Sequence, residues 1–208
     1  MISASGTVWG GSGQLEVRDR RGRAVYVESL DWQLNKKQLW LGRLSVCFRL
    51  LSQSQPGIVS ASLMSLVFTD IDLEVPATVL EALLPEVHGY GLDGVLQLVS
   101  KSLKLTRQDT VGTVMLRWQD VSSTLLPVAP LGSYELQLDG VVSQLNLTGS
   151  LKTLKGPLQL DGTVNISASQ QTALQVTAVL PENQYAELAP FMRLVGVESG
   201  GNRFLIQL

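Results

Sequence analysis

Gln14-Leu-Glu-Val-Arg-Asp-Arg-Arg-Gly-Arg-Ala-Val-Tyr-Val-Glu-Ser-Leu30 decides the fold class. Apolar and polar residues alternate on both sides of Asp19-Arg-Arg-Gly22, whose Asp and Gly suit a tight reversal, so the stretch reads as a β-hairpin. Working outward, the same alternation runs through residues 42–50, 57–63, 65–73, 94–100 and 112–118. It resumes in residues 133–138, 141–147, 157–167, 173–179 and 203–208. The short gaps favour antiparallel meanders, because parallel strands need crossovers of about a dozen residues or more. Glycine opens many of these stretches, at Gly13, Gly42, Gly57, Gly94, Gly112, Gly132 and Gly156, where it lets a sheet bend without Cβ crowding.

Two segments depart from the two-residue period. Residues 76–84 start with Pro76, place apolar residues at Val79, Leu80, Leu83 and Leu84, and stop at Pro85, which predicts a short helix. Residues 184–195 put Tyr185, Leu188, Met192 and Val195 on one face, contain Pro190, and end at Gly196, an expected C′ residue. The expectation is a mainly β fold: a strongly curved, mostly antiparallel meander sheet, an open half-barrel or clam-like shape, with two short helices. Residues 1–208 are expected to form one β-rich domain. The inward face is expected to hold Leu15, Val17, Val25, Val27, Leu66, Phe68, Leu96, Leu98, Val114, Leu116, Leu136, Leu138, Leu158, Leu160 and Leu205.

Hydrophobic residues make up 45% of the 208 and charged ones 16%, a balance that excludes a disordered chain. Sixteen basic against eighteen acidic side chains leave a net charge of -2, without the electrostatic footprint of a nucleic-acid binder. The one cysteine, Cys47, suits an inward strand position and rules out an internal disulfide. No apolar window is long enough for a membrane helix.

Catalytic signals are thin. His88, the only histidine, has no nucleophile motif beside it and reads as a loop residue between a helix and a strand. Asp70, Asp72 and Glu74 alternate with Ile71, Leu73 and Val75, which reads as the solvated face of an amphipathic strand rather than a calcium loop. Arg18, Arg20, Arg21 and Arg23 read as a soluble hairpin tip, with contact to anionic lipid headgroups or an acidic partner as the other reading. Gly10-Gly-Ser-Gly13 and residues 196–201 read as turns rather than phosphate loops. Of Trp9, Trp32, Trp40 and Trp118, at least two are expected in the core.

Ser5-Gly-Thr-Val-Trp-Gly-Gly-Ser-Gly13, then Leu30-Asp-Trp-Gln-Leu34 and Leu39-Trp-Leu-Gly-Arg-Leu44, resemble the start of the periplasmic region of the type II secretion system N family. Gly112-Thr-Val-Met-Leu-Arg-Trp118 and Pro130-Leu-Gly-Ser-Tyr134 extend the resemblance over most of the chain. It marks Gly6, Thr7, Val8, Trp9, Gly11, Trp32, Leu34, Gly42, Leu44, Trp118, Leu131 and Gly132 as structural or partner-binding positions. It implies a Gram-negative single-pass inner-membrane protein whose β-rich domain lies in the periplasm. This chain lacks the implied membrane helix. The motif begins within six residues of Met1, so that helix is expected ahead of Met1 in the native protein.

The functional expectation is a non-catalytic accessory component of type II protein secretion. Its partners would be other inner-membrane or periplasmic subunits, met by strand pairing at a sheet edge. The alternative is a curved-sheet carrier with a lipid in an apolar groove. No cofactor and no metal is expected, and an enzyme ranks third.

Overall fold

The computed structural model describes residues 3–19, 22–51, 53, 55–83, 89–140, 146–166 and 172–207. Among these residues, 14 strands form one antiparallel sheet. They are β1 (Ser3–Thr7), β2 (Gly10–Arg18), β3 (Ala24–Leu34), β4 (Leu44–Leu50), β5 (Gly57–Ala61), β6 (Ser65–Pro76) and β7 (Leu92–Thr106). Then follow β8 (Thr110–Ser123), β9 (Gly132–Gly140), β10 (Leu147–Lys155), β11 (Gln159–Ile166), β12 (Thr172–Val179), β13 (Val197–Gly200) and β14 (Arg203–Gln207). Each strand pairs with its sequence neighbour except near the end, where β14 lies between β12 and β13. The sheet does not close, so β1 and β13 are its edges.

Direct cross-strand partners share a face, which makes the inner face readable as rows. One row runs Leu73, Leu98, Leu116, Leu136, Leu151, Gly162, Val176, Ile206 across eight strands. Two residues along, Val75, Leu96, Trp118 and Tyr134 form a second row that ends at Leu160, Ala178 and Phe204. The outer face between them carries Glu74, Gln97, Arg117, Glu135, Lys152 and Asp161. Alternation in the sequence thus becomes an apolar inside and a charged outside.

Curvature shows in contacts between strands that are not neighbours. The Tyr26 hydroxyl on β3 reaches the Glu74 carbonyl on β6 at 3.5 Å. Helix α2 (Thr78–Leu83) packs on β2, β3 and β7 together. Helix α3 (Tyr185–Val195), led in by a 3-10 turn at Glu182–Gln184, caps the other half. Its Leu188 and Met192 meet Tyr134, Leu158, Ala178 and the fully buried Phe204.

Several expectations need correcting. A third helix, the single turn α1 (Lys36–Leu39), has no apolar face to betray it and exists through its cap, Asn35 Oδ1 accepting from the Lys37 amide at 3.1 Å. Pro76 ends β6 rather than starting α2. Gly10 to Gly13 lie within β2, and Val197–Gly200 is an edge strand, so neither glycine-rich stretch is simply a turn. Gly196 is extended at φ -155, not left-handed; a Cβ there would stand 2.8 Å from the Leu205 carbonyl, so close approach of β14 explains it. Residues 141–145 of one expected strand lie outside the described residues, and Leu147 instead begins β10, which the alternation did not reveal.

The inward list also errs in phase. Leu15 and Val17 face Glu28 and Tyr26 across β2 and β3, so the inner face of β3 carries those two residues, and Val25 and Val27 point the other way. Val27 is 49% exposed and Glu28 is buried, its carboxylate accepting from Tyr26 Oη at 2.6 Å. Leu205 sits opposite Thr177 on the outer face while its neighbours Phe204 and Ile206 point inward. Between β7 and β8 the register slips by one residue, which brings Leu103 opposite Gly112 when Leu98 is opposite Leu116. That bulge puts Leu103 and Leu105 on the same side as Leu96 and Leu98 despite the odd count between them.

Candidate binding cleft and sheet edge

The phrase that opens the chain builds a tight corner. After β1, Val8 and Trp9 form the turn, with the Trp9 amide donating to Thr7 Oγ1 at 3.2 Å. On β3, Trp32 Nε1 donates to the Thr7 carbonyl at 3.3 Å, so its indole lies across the β1–β2 ribbon. Gly6 and Gly11 permit this. A Cβ on Gly6 would stand 2.5 Å from Gly11 Cα, and one on Gly11 would stand 2.7 Å from Trp32 Cζ2.

Thr7, Trp9, Trp32 and Leu34 border a cleft of about 880 Å³ together with Asp31, Gln33, Phe48 and Arg49. By register Asp31 and Gln33 share a face with Arg49 and Cys47, and Trp32 and Phe48 lie on the other. Half-buried Cys47 lines it as well. Lys36, the first residue of α1, holds its ammonium 4.9 Å from the Trp9 ring centroid, a cation–π contact. Lys36, Lys37 and Arg49 border the cleft and Asp31 lies opposite Arg49, so its lining is polar and of mixed charge beside the Trp9 ring.

Gly42 and Leu44 lie beside this corner, Gly42 in the turn after α1 at φ 69 and Leu44 at the start of β4. Trp118, Leu131 and Gly132 do not join it. They belong to the core under α3, where Trp118 Nε1 donates to the Asp93 carbonyl at 3.2 Å. Gly132 makes room for Tyr134, whose hydroxyl lies 3.2 and 3.1 Å from the carbonyls of Leu131 and Leu158. Burial pushes that phenol well above its ordinary range. The twelve positions therefore divide into one corner and one core. Sequence spacing could not separate them, and it missed Lys36 and Arg49 altogether.

Trp32 and Trp118 are half-buried, whereas Trp9 is 44% and Trp40 93% exposed. His88, Arg20 and Arg21 lie outside the described residues. Arg18 pairs with Glu16 and Arg23 with Asp19. Asp70, Asp72 and Glu74 are exposed opposite buried Ile71, with Asp70 3.5 Å from Lys101 and Asp72 accepting from Gln97. Glu135 and Glu198, whose pKa values are lowered, are each ion-paired. Glu135 is held below the usual range by Lys152 and then Arg117, each 2.7 Å away. Glu198 is lowered by Tyr185 and then Arg193.

The two edges differ. β1, Ser-Ala-Ser-Gly-Thr, is exposed throughout and uncharged, and it pairs on one side only. β13 is four residues long, bulged between Glu198 and Gly200, and has Glu198 tied to Arg193. A bulge and a charge are devices that blunt an edge against pairing, and β1, one residue longer than β13, has neither.

Among the described residues no helix is long and apolar enough to cross a membrane. A family model described as type II secretion system (T2SS), protein N matches residues 2–206, nearly the whole chain. No curated protein and no solved structure matches it.

Proposed function

The chain belongs to the type II secretion system protein N family, and on that premise we propose that it is a non-catalytic accessory subunit acting through protein contacts in the cell envelope. Family membership implies a role in type II protein secretion and interaction with other subunits of that system. Our finer reading is a periplasmic domain of a single-pass inner-membrane protein, folded as one unit because the meander has no crossover between halves. The observation that carries the contact mode is the unguarded β1 edge next to the cleft beside Trp9. A strand added to β1 would gain main-chain hydrogen bonds, and a side chain at its end could enter the cleft beside Trp9. The non-catalytic reading is supported by Glu135 and Glu198, whose perturbed carboxylates are engaged in ion pairs away from the cleft. Crosslinking in native membranes should recover other secretion subunits. Recovery of none, with secretion unaltered when the gene is deleted, contradicts the reading.

A second reading rests on the inner face. The chain exposes 12632 Å², against about 9,500 Å² expected for a compact monomer of its mass. Leu98, Leu116, Leu136 and Leu151 remain only half-buried along the curved sheet. That trough suits an acyl chain. Native mass spectrometry after gentle extraction decides: a reproducible lipid adduct supports carriage, and a bare protein mass speaks against it.

A further inference from the structure

In an antiparallel meander, alternate hairpin connections emerge at the same end of the sheet. The end bearing the Val8–Trp9 turn also carries the β3–β4 connection (residues 35–43), the β5–β6 turn (62–64) and the β7–β8 turn (107–109). Registry keeps them side by side: Leu44 pairs with Ala61, and Ser65 with Thr106. Strands spaced about 4.8 Å apart put successive turns roughly 10 Å apart.

These turns expose their largest apolar side chains. Val8 is 76%, Trp40 93%, Leu41 77%, Leu63 91% and Met64 77% exposed. The same connections hold Lys36, Lys37, Arg43 and Arg107, with Asp109 as the one carboxylate among them. Among the described residues, none of those four bases forms an ion pair. At the opposite end the signs are mixed, with Asp19 bound to Arg23 and Glu182 and Glu187 preceding Arg193. A chain of net charge -2 has thus gathered four bases against one carboxylate on the end where its bare apolar tips project.

We propose that this end of the sheet docks on an anionic membrane surface. Trp40, Leu41, Leu63 and Met64 enter the interface while Lys36, Lys37 and Arg43 meet acidic headgroups. Separate protruding tips suit a deformable lipid interface better than the flat or concave face a folded partner needs. Tryptophan prefers the headgroup level, and lysine and arginine stems can lie along the apolar boundary with their charges in the headgroups. Each basic residue near an anionic surface strengthens binding roughly fivefold, and salt weakens that share.

The test is co-sedimentation of the 208-residue chain with vesicles of phosphatidylcholine alone or mixed with phosphatidylglycerol. The expected result is binding to the anionic vesicles only, weakened by salt, with a blue shift of tryptophan emission. Paired Trp40→Ser and Leu41→Ser substitutions, and separately Lys37→Gln with Arg43→Gln, should each weaken it by about tenfold or more. These side chains are exposed, so circular dichroism should not change, and Leu63→Ser with Met64→Ser provides an independent pair. Failure to bind anionic vesicles at low salt, or equal binding by the substituted chains, overturns the proposal. So does a photocrosslinker at position 63 that captures a protein and no lipid in native membranes.

Discussion

The indole of Trp32 occupies the space that a side chain on Gly11 would need: a Cβ there would stand 2.7 Å from Cζ2 and 2.3 Å from the Ser5 carbonyl oxygen. Gly11→Ala must therefore push the edge strand and the indole apart, at a cost of about 1–3 kcal/mol typical of overpacking. Hydrogen exchange should rise in β1 and leave β8 to β12 unchanged. Gly10→Ala is the control, because the nearest atom to its Cβ is 3.6 Å away. Equal tolerance of both substitutions would show that Trp32 does not pin the edge.

Phe204 and Leu205 are adjacent, yet the register places them on opposite faces. Phe204→Ala is expected to cost about 3–5 kcal/mol and to loosen α3, as deletion of a buried aromatic does. Leu205→Ala should cost less than about 1.5 kcal/mol, since it removes only partly buried surface. Chemical denaturation of the two variants measures the difference. The reverse order would return Leu205 to the core.

Glu135 stands on the outer face between Arg117 and Lys152. Its folded pKa is lowered, first by Lys152 and then by Arg117, so its contribution is present at neutral pH and is lost as pH falls through the lowered value. Both cations are substantially exposed, which screens the pairs, so Glu135→Gln should cost only about 1–2 kcal/mol at neutral pH. Thermal melts of the two proteins should converge below the ordinary carboxylate range. A gap that stays constant into acid would refute the charge-pair account.

The sheet was legible because its alternation is local: a two-residue period survives in the string, and most strands lie where it appears. Phase was not. In β3 both Val25-Tyr-Val27 and Tyr26-Val-Glu28 fit a strand, and the inner choice is polar because Tyr26 satisfies Glu28, a pairing that needs three dimensions. The slip between Val99 and Leu103 is likewise invisible until β8 supplies the register. Of the candidate corner, Gly6, Thr7, Trp9, Gly11 and Trp32 could be named from the sequence, since they lie close together in an ordered motif. Arg49 reaches the cleft through strand pairing alone, and Lys36 through a one-turn helix with no periodicity to announce it.

The central claim is that the open edge at β1 receives another secretion subunit. A photocrosslinking amino acid at Ala4, exposed in β1, is compared in native membranes with one at Ser199, exposed in the blunted edge β13. The account predicts a discrete adduct with a secretion-system subunit from position 4 and little or none from position 199, lost together with secretion when Ser5→Pro breaks the ladder that holds β1 on β2. Equal adducts from both edges, or none from position 4 in secreting cells, would contradict it.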